Sequence, residues 1–317
     1  MKNGRKKTSP RATSGRRKTV GSKRNDQPVE KYNKNGRIIY EGKSLLDGAE
    51  IVVIVTGLAN GSDNSKTGDM LQTWILRTDT DPITANRTGL DFSICGNCKL
   101  RGVVNMTKKK GTADKRPCYV TLHHAPLNVW KTYKRGRYEN LSGDFEAIKK
   151  LADAKTRNWT HNRSKKRRAK VLSNRDGNWI FCAESGRWER PKRMVRLGSY
   201  GDPSAVPEAI WQALLTNASG HTGYSHQLNC DTQYLMISAD TEKQAREAWE
   251  KEQRTFRLIK SVDELVKGKE ILCPASEEAG RRTQCDKCKL CSGSKIRAKN
   301  IAIVAHGNGA SNLVALA

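Results

Sequence analysis

No stretch of this 317-residue chain reaches the roughly 18 consecutive apolar residues of a membrane-crossing helix. Its basic N-terminus is not followed by the apolar segment of a secretory signal, so export is not expected either. The expectation is a soluble, cytoplasmic protein in a reducing compartment, with no membrane partner. There its nine cysteines are metal ligands or free thiols rather than disulfides. A phosphate loop of the form G-x-x-x-x-G-K-[ST] is also missing, because Ser65 precedes Lys66-Thr67 in the turn-rich loop Asn60–Gly68. The His-x-His of a rolling-circle nuclease is absent, since His123 and His124 are adjacent. Neighbours on a strand face opposite sides, so the two cannot chelate one ion, and one of them is expected to face a site. No compact Cys2His2 finger occurs.

Acidic residues are scarce: 32 Asp and Glu stand against 59 Lys and Arg, a net charge of +27. The excess is concentrated. Residues 1–37 contribute +11 and residues 155–193 contribute +10, which leaves +6 for everything else. Residues 1–36 have almost no apolar side chains, so burial cannot repay their ordering entropy, and a disordered basic tail is expected. The second basic segment reads as an insertion at about 157–193. It holds Lys165, Lys166, Arg167 and Arg168 beside Trp179 and Trp188, cations next to rings on which bases could stack. The same aromatics would equally cover a small hairpin core. Nucleic acid is the macromolecular partner that the tail and insertion suggest.

Between these segments, β-branched runs alternate with helical patterns. Strands are expected at Ile51–Val55, Gln72–Leu76, Cys118–Leu122, Met194–Ser199, Thr222–His226, Tyr234–Ser238, Thr255–Ile259, Glu270–Cys273 and Ile301–Ala305. Helices are expected at Leu127–Arg135, Phe145–Lys155, Pro207–Asn217 and Thr241–Gln253, with Pro207 in a first turn and Thr241-Glu-Lys-Gln244 as a capping box. The alternation implies an α/β fold with a mainly parallel sheet, a partial or complete (β/α) barrel, over residues 37–317. Polar residues cluster where strands end: Ser199 to Asp202, His226, Asp240, Cys273 and His306. In parallel α/β folds that edge is where sites are built.

The cysteines fall into two sets. Cys95, Cys98 and Cys118 are spaced C-x2-C-x19-C, and Cys273, Cys285, Cys288 and Cys291 are spaced C-x11-C-x2-C-x2-C. Two thiolates separated by two residues can face one metal, and four within one short segment suit tetrahedral zinc or an iron–sulfur cluster. Thiolate ligation alone does not separate the two metals. The first set supplies three sulfurs and leaves one coordination position open, which favours iron–sulfur there. Cys182 and Cys230 have no local partners and stay outside the metal sets.

Several stretches, among them Gly42–Gly48, Asn64–Gly68, Cys95–Cys98, Arg196–Pro203, Gly223–Gln227 and Cys273–Ser276, resemble an uncharacterised conserved bacteriophage protein family. That resemblance covers roughly residues 38–307 and implies action in the host cell cytoplasm. A more distant one is to radical S-adenosylmethionine enzymes, through cysteines opening a βα barrel, a glycine-rich turn after a strand, and a C-terminal cysteine set. It implies a [4Fe–4S] cluster on Cys95, Cys98 and Cys118, and S-adenosylmethionine near Ser199, Tyr200, Gly201 and Asp202. It also implies an auxiliary cluster or zinc on the C-terminal set, with His226, Asp240 and His306 contacting substrate or moving protons. The chain departs from that family's C-x3-C-x2-C loop, since its third cysteine lies 20 residues past the second.

Two function classes follow. One is a radical S-adenosylmethionine-like metalloenzyme acting on a nucleotide, nucleic acid or protein. The other is a zinc-stabilised, non-catalytic nucleic-acid-binding protein.

Overall fold

A computed structural model describes residues 32–59, 64–153, 155–158, 180–182, 187–190, 192–231, 233–280 and 282–305. The expected tail up to residue 31, Lys165 to Arg168, Trp179 and His306 lie outside the described residues. Of Cys182 and Trp188 only the strand backbone is described.

The first three strands form an antiparallel meander: β1 (Gly36–Lys43), β2 (Glu50–Thr56) and β3 (Leu71–Arg77). Ile51 to Val55 of β2 are all buried, as an unbroken β-branched run in a sheet covered on both faces should be. The chain then enters α1 (Pro82–Thr88), which Asp81 caps through the backbone N–H groups of Ile83 and Thr84. A single turn, α2 (Phe92–Cys95), and α3 (Ala125–Lys134) follow. The two-residue β4 (Glu139–Asn140) pairs with β1, and α4 (Phe145–Lys149) ends in a 3-10 turn over Lys150–Ala152. The basic segment holds a small antiparallel sheet of its own, β5 (Lys155–Asn158), β6 (Ile180–Cys182) and β7 (Arg187–Arg190), in the order β5-β7-β6.

From there the strands run parallel. β8 (Met194–Tyr200) joins β3, and after α5 (Glu208–Leu215) β9 (Gly220–Thr222) joins β8. β10 (Tyr224–Ser225) starts a second sheet with β11 (Met236–Ala239). Past α6 (Glu242–Glu250) come β12 (Thr255–Ile259), β13 (Glu270–Leu272), the one-turn α7 (Cys285–Cys288) and β14 (Asn300–Val304). The orders are β4-β1-β2-β3-β8-β9 and β10-β11-β12-β14-β13, the second wholly parallel. Only Gly223 separates β9 from β10, so one strand segment belongs to both sheets.

The architecture is therefore mixed α/β with two mostly parallel sheets, and β1 to β3 supply an antiparallel part that the sequence pattern did not indicate. The expected strand at Cys118–Leu122 does not form. Its carbonyl groups are taken by a side chain, since Arg116 Nη1 donates to Cys118 O (3.1 Å) and Val120 O (2.8 Å). Thr121 then starts the turn into α3. Pro207 caps α5 rather than opening its first turn. Thr241 caps α6 as expected, but Gln244 reaches back to the N–H of Asp240 instead of Thr241 (2.8 Å).

Among the described residues no helix is long and apolar enough to cross a membrane.

Candidate functional site

One cavity of about 340 Å³ unites the chemistry. Alternate residues of neighbouring strands line it: Thr222 and Tyr224, Phe256 and Leu258, Ile301 and Ile303. Strand side chains alternate between faces, so this pattern means that one face of these strands borders the cavity. All seven cysteines of the two sets line it as well.

The first set is assembled by a folded loop. Asp91, 2% exposed, accepts from Arg101 through one oxygen and from Asn86 Nδ2 (2.7 Å) through the other. Arg101 also donates to the carbonyls of Gly96 and Gly89 (2.9 and 2.8 Å), which pins the C-x2-C turn to the end of α1. The long spacer then folds back on itself. Val103 and Asp114 form an antiparallel bridge, and the Cys118 N–H reaches Leu100 O (3.2 Å). The 20-residue separation is thus spanned by a closed excursion that returns Cys118 to the other two.

The second set gathers around α7. Cys285 and Cys288 are three apart on one helical turn and so share a face. The loop at 64–68, unsuited to a phosphate, seats this turn: Lys66 O accepts from Cys285 N–H (3.0 Å) and Thr67 O from Asp286 N–H (3.1 Å). Cys273 follows β13 directly. Cys291 is tied to the strand junction through its carbonyl, which accepts from Gly223 N–H (3.2 Å). Behind it, Arg254 donates to four backbone carbonyls, those of Leu290, Gly293, Ala298 and Lys299.

Burial raises five of these thiols above their ordinary range. Burial pushes Cys95 well up, and the charge of Asp91 adds to it. Burial followed by the neighbouring Cys118 does the same to Cys98. For Cys285, burial and Cys273 outweigh the positive charges of Arg196 and Lys66, and its thiol rises to about 11. Cys291 rises to about 12 by burial, against a hydrogen bond with Tyr224. Cys273 is raised too, again mainly by burial.

At the strand ends, Gly201, His226, Asp240 and Cys273 are each the first residue past β8, β10, β11 and β13. Asp202 is the hub. Its backbone N–H donates to Ile94 O (2.6 Å), and its carboxylate accepts from His226 N–H (2.8 Å) and Gln227 Nε2 (3.3 Å). Gln227 in turn donates to Cys95 O (3.2 Å) and accepts from Asn97 N–H (3.2 Å), which joins the cysteine loop to two strand ends. His226 Nε2 is buried, has no hydrogen-bond partner and lies 3.7 Å from Asp240 Oδ1.

The other expected residues fare differently. Ser199 donates to the Gln72 side chain (2.5 Å), so its hydroxyl is already engaged. Gly201 is needed for packing, since a Cβ there would stand 2.7 Å from Ile75 Cβ. Tyr200 is 4% exposed and its hydroxyl has no partner. His123 and His124 are both exposed and neither lines the cavity. Cys230 packs against the main core, its thiol raised to about 11 by burial. Lining residues that sequence reasoning passed over are Arg116, Arg196 and Lys66; Lys66 was visible in the loop set aside as a failed phosphate site.

Among the described residues, no three or more His, Cys, Asp or Glu side chains stand as a group that could hold a metal ion. The seven sulfurs, donors of the kind that thiophilic metals take, line one cavity without standing as such a group. Compared with family models, curated proteins and solved structures, the chain matches none.

Proposed function

We propose that this chain is a thiolate metalloenzyme of radical S-adenosylmethionine-like type, with a nucleotide, nucleic acid or protein as substrate in the host cell cytoplasm. The observation that carries it is the convergence of two sequence-distant cysteine sets, seven residues in all, on one cavity bordered by His226 and Asp202. In this reading β3, β8, β9 with β10, β11, β12, β14 and β13 are the wall of a partial barrel. Cys95, Cys98 and Cys118 hold an iron–sulfur cluster, and Cys273, Cys285, Cys288 and Cys291 hold an auxiliary cluster or zinc. When bound, the first cluster would supply one-electron chemistry. The chain's own part is to exclude water, to hold the cysteine loop through Asp202 and Gln227, and to present His226 Nε2, backed by Asp240, for proton transfer.

The test is the metal content and visible spectrum of protein purified and iron-loaded without oxygen. Several irons per chain, lost in Cys95→Ser and Cys285→Ser variants, support the reading, and perturbation of the reduced cluster by S-adenosylmethionine extends it. Colourless protein holding one or two zincs would overturn it in favour of a zinc-stabilised binding protein, in which the basic tail and the insertion meet nucleic acid.

A further inference from the structure

Arg196 of β8 lines the cavity without a counter-charge. It is half-buried, and among the described residues its guanidinium has one polar partner, the Tyr119 hydroxyl, to which Nη2 donates (2.6 Å). The ionisable groups that act most on it are Tyr119, Tyr224 and Cys285, none of them a carboxylate. Both carboxylates of the cavity wall are committed elsewhere. Asp91 accepts from Arg101 and Asn86, and Asp202 from the His226 N–H, Gln227 and Ser204. Lys66 lines the same cavity, near enough to feel the charge of Arg196. Enclosing a guanidinium beside a second cation costs free energy that an opposite charge returns.

The surroundings specify more than charge. Thr222 stands directly across from Arg196 in the parallel pairing of β8 with β9, and its hydroxyl makes no hydrogen bond among the described residues. Tyr119 Oη accepts from the arginine, so its own proton remains to be donated. The guanidinium fork matches two oxygens of a carboxylate or a phosphate. Flanking hydroxyls add donors that a carboxylate would leave idle and the third oxygen of a phosphate monoester would use. Beside them the wall turns aromatic and apolar. Tyr224 and Phe256 are in ring contact, with centroids 4.4 Å apart, and Leu258 and Ile303 continue the surface. Such rings give a planar base a face to stack on. At about 340 Å³ the cavity lies at the small end of the roughly 300–1,000 Å³ of small-molecule sites, room for a monomer rather than a folded chain.

We propose that the cavity binds a nucleoside monophosphate, its phosphate on Arg196 with the hydroxyls of Thr222 and Tyr119 and its base against Tyr224 and Phe256. The proposal rests on the reading of this cavity as the substrate site and narrows the substrate there to a nucleotide monomer. Binding itself requires no metal.

The experiment is titration calorimetry of the full chain, purified without oxygen, against each of the common nucleoside 5′-monophosphates, the matching nucleosides and inorganic phosphate. Salt at about 0.15 M screens exposed charges such as those of the basic tail. At least one monophosphate is expected to bind once per chain, more tightly than its nucleoside or inorganic phosphate. Arg196→Met should weaken it about ten-fold or more, and Arg196→Lys, which keeps the charge but loses the fork, should fall between. Phe256→Leu, which keeps apolar bulk but loses the ring, should weaken it about ten-fold. Thermal unfolding and metal content of the same samples report whether fold and cysteine sets are intact. The proposal is overturned if no monophosphate binds more tightly than inorganic phosphate, or if Arg196→Met binds as the wild type does. Weaker binding in Arg196→Met that is matched by lost metal also overturns it, because Arg196 would then serve the set around Cys285. Arg196-dependent nucleotide binding by colourless protein upholds it while the metalloenzyme reading fails.

Discussion

His226 Nε2 lies 3.7 Å from Asp240 Oδ1, although the two residues leave different strands and each is the first past its strand's end. The pairing gives the imidazole a carboxylate neighbour while its remaining surroundings are held by Asp202, which accepts from the His226 backbone N–H. A positioned base of this kind contributes about 10²- to 10⁴-fold to a reaction that needs proton transfer. Under the proposed function, His226→Gln is therefore expected to lower turnover by the reduced, metal-loaded protein at least 100-fold, with Asp240→Asn less severe. Metal content should stay at the wild-type level in both. Loss of metal along with activity would show that the pair supports the cysteine loop rather than the chemistry.

Gly96 sits between Cys95 and Cys98 at φ +53°, and a Cβ there would meet the Gln227 amide at 2.5 Å. Two separate penalties follow for Gly96→Ala, one from left-handed backbone and one from the clash. The first costs roughly 1 kcal/mol and cannot be relieved by a neighbour. The second can. Gly96→Ala combined with Gln227→Ala should recover part of the lost thermal stability, and metal retention should stay low because the Gln227 bridge from Asp202 to Cys95 is gone. Full additivity of the two single changes in a double-mutant cycle would argue that the contact is slack.

Arg254 is buried and donates to four carbonyls on either side of Cys291, that of Leu290 before it and those of Gly293, Ala298 and Lys299 after it. Replacing it by methionine keeps much of the volume but strands several buried acceptors at about 1–3 kcal/mol each, some of them rehydrated. The expected net loss is of order 3 kcal/mol, measured by denaturant unfolding. Under the proposed function, selective loss of metal from the C-terminal set, with the first set retained, should accompany it.

His221 lies on β9, and its Nε2 is 2.9 Å from Tyr234 O. Burial depresses its basicity below the ordinary value of 6.5, and the carbonyl contact only partly offsets that. The folded protein thus binds fewer protons at this site than the unfolded chain. The resulting stability is present above pH 6.5 and is lost as pH falls through the folded-state value. His221→Gln should flatten the melting temperature across the acid side of that window, while leaving it little changed above neutrality. An unaltered acid slope would assign the sensitivity to another group.

Much of the frame was legible because it is written in local patterns. Thr255–Ile259 was read to the residue, and the parallel strands from β8 onward within one or two, since β-branched runs between turn residues report burial directly. The strand at Cys118–Leu122 failed for a reason no local pattern carries, because a side chain two residues earlier takes its carbonyls. The meander of β1 to β3 was under-read likewise, since pairing direction depends on partners and turns rather than on any one strand's composition.

The sequence by itself determined which sulfurs are close neighbours along the chain, because Cys95 with Cys98, and Cys285 with Cys288 and Cys291, are separated by single turns. It also determined that polar residues follow the strands, where a parallel sheet opens its sites. Only the tertiary structure decided that Cys118 returns to the first pair, that the loop at Lys66 seats the second set, and that both sets border one cavity. Those relations join residues up to some 220 positions apart. They depend on which strand faces and loops pack around a common space, and spacing along the chain records nothing of that packing.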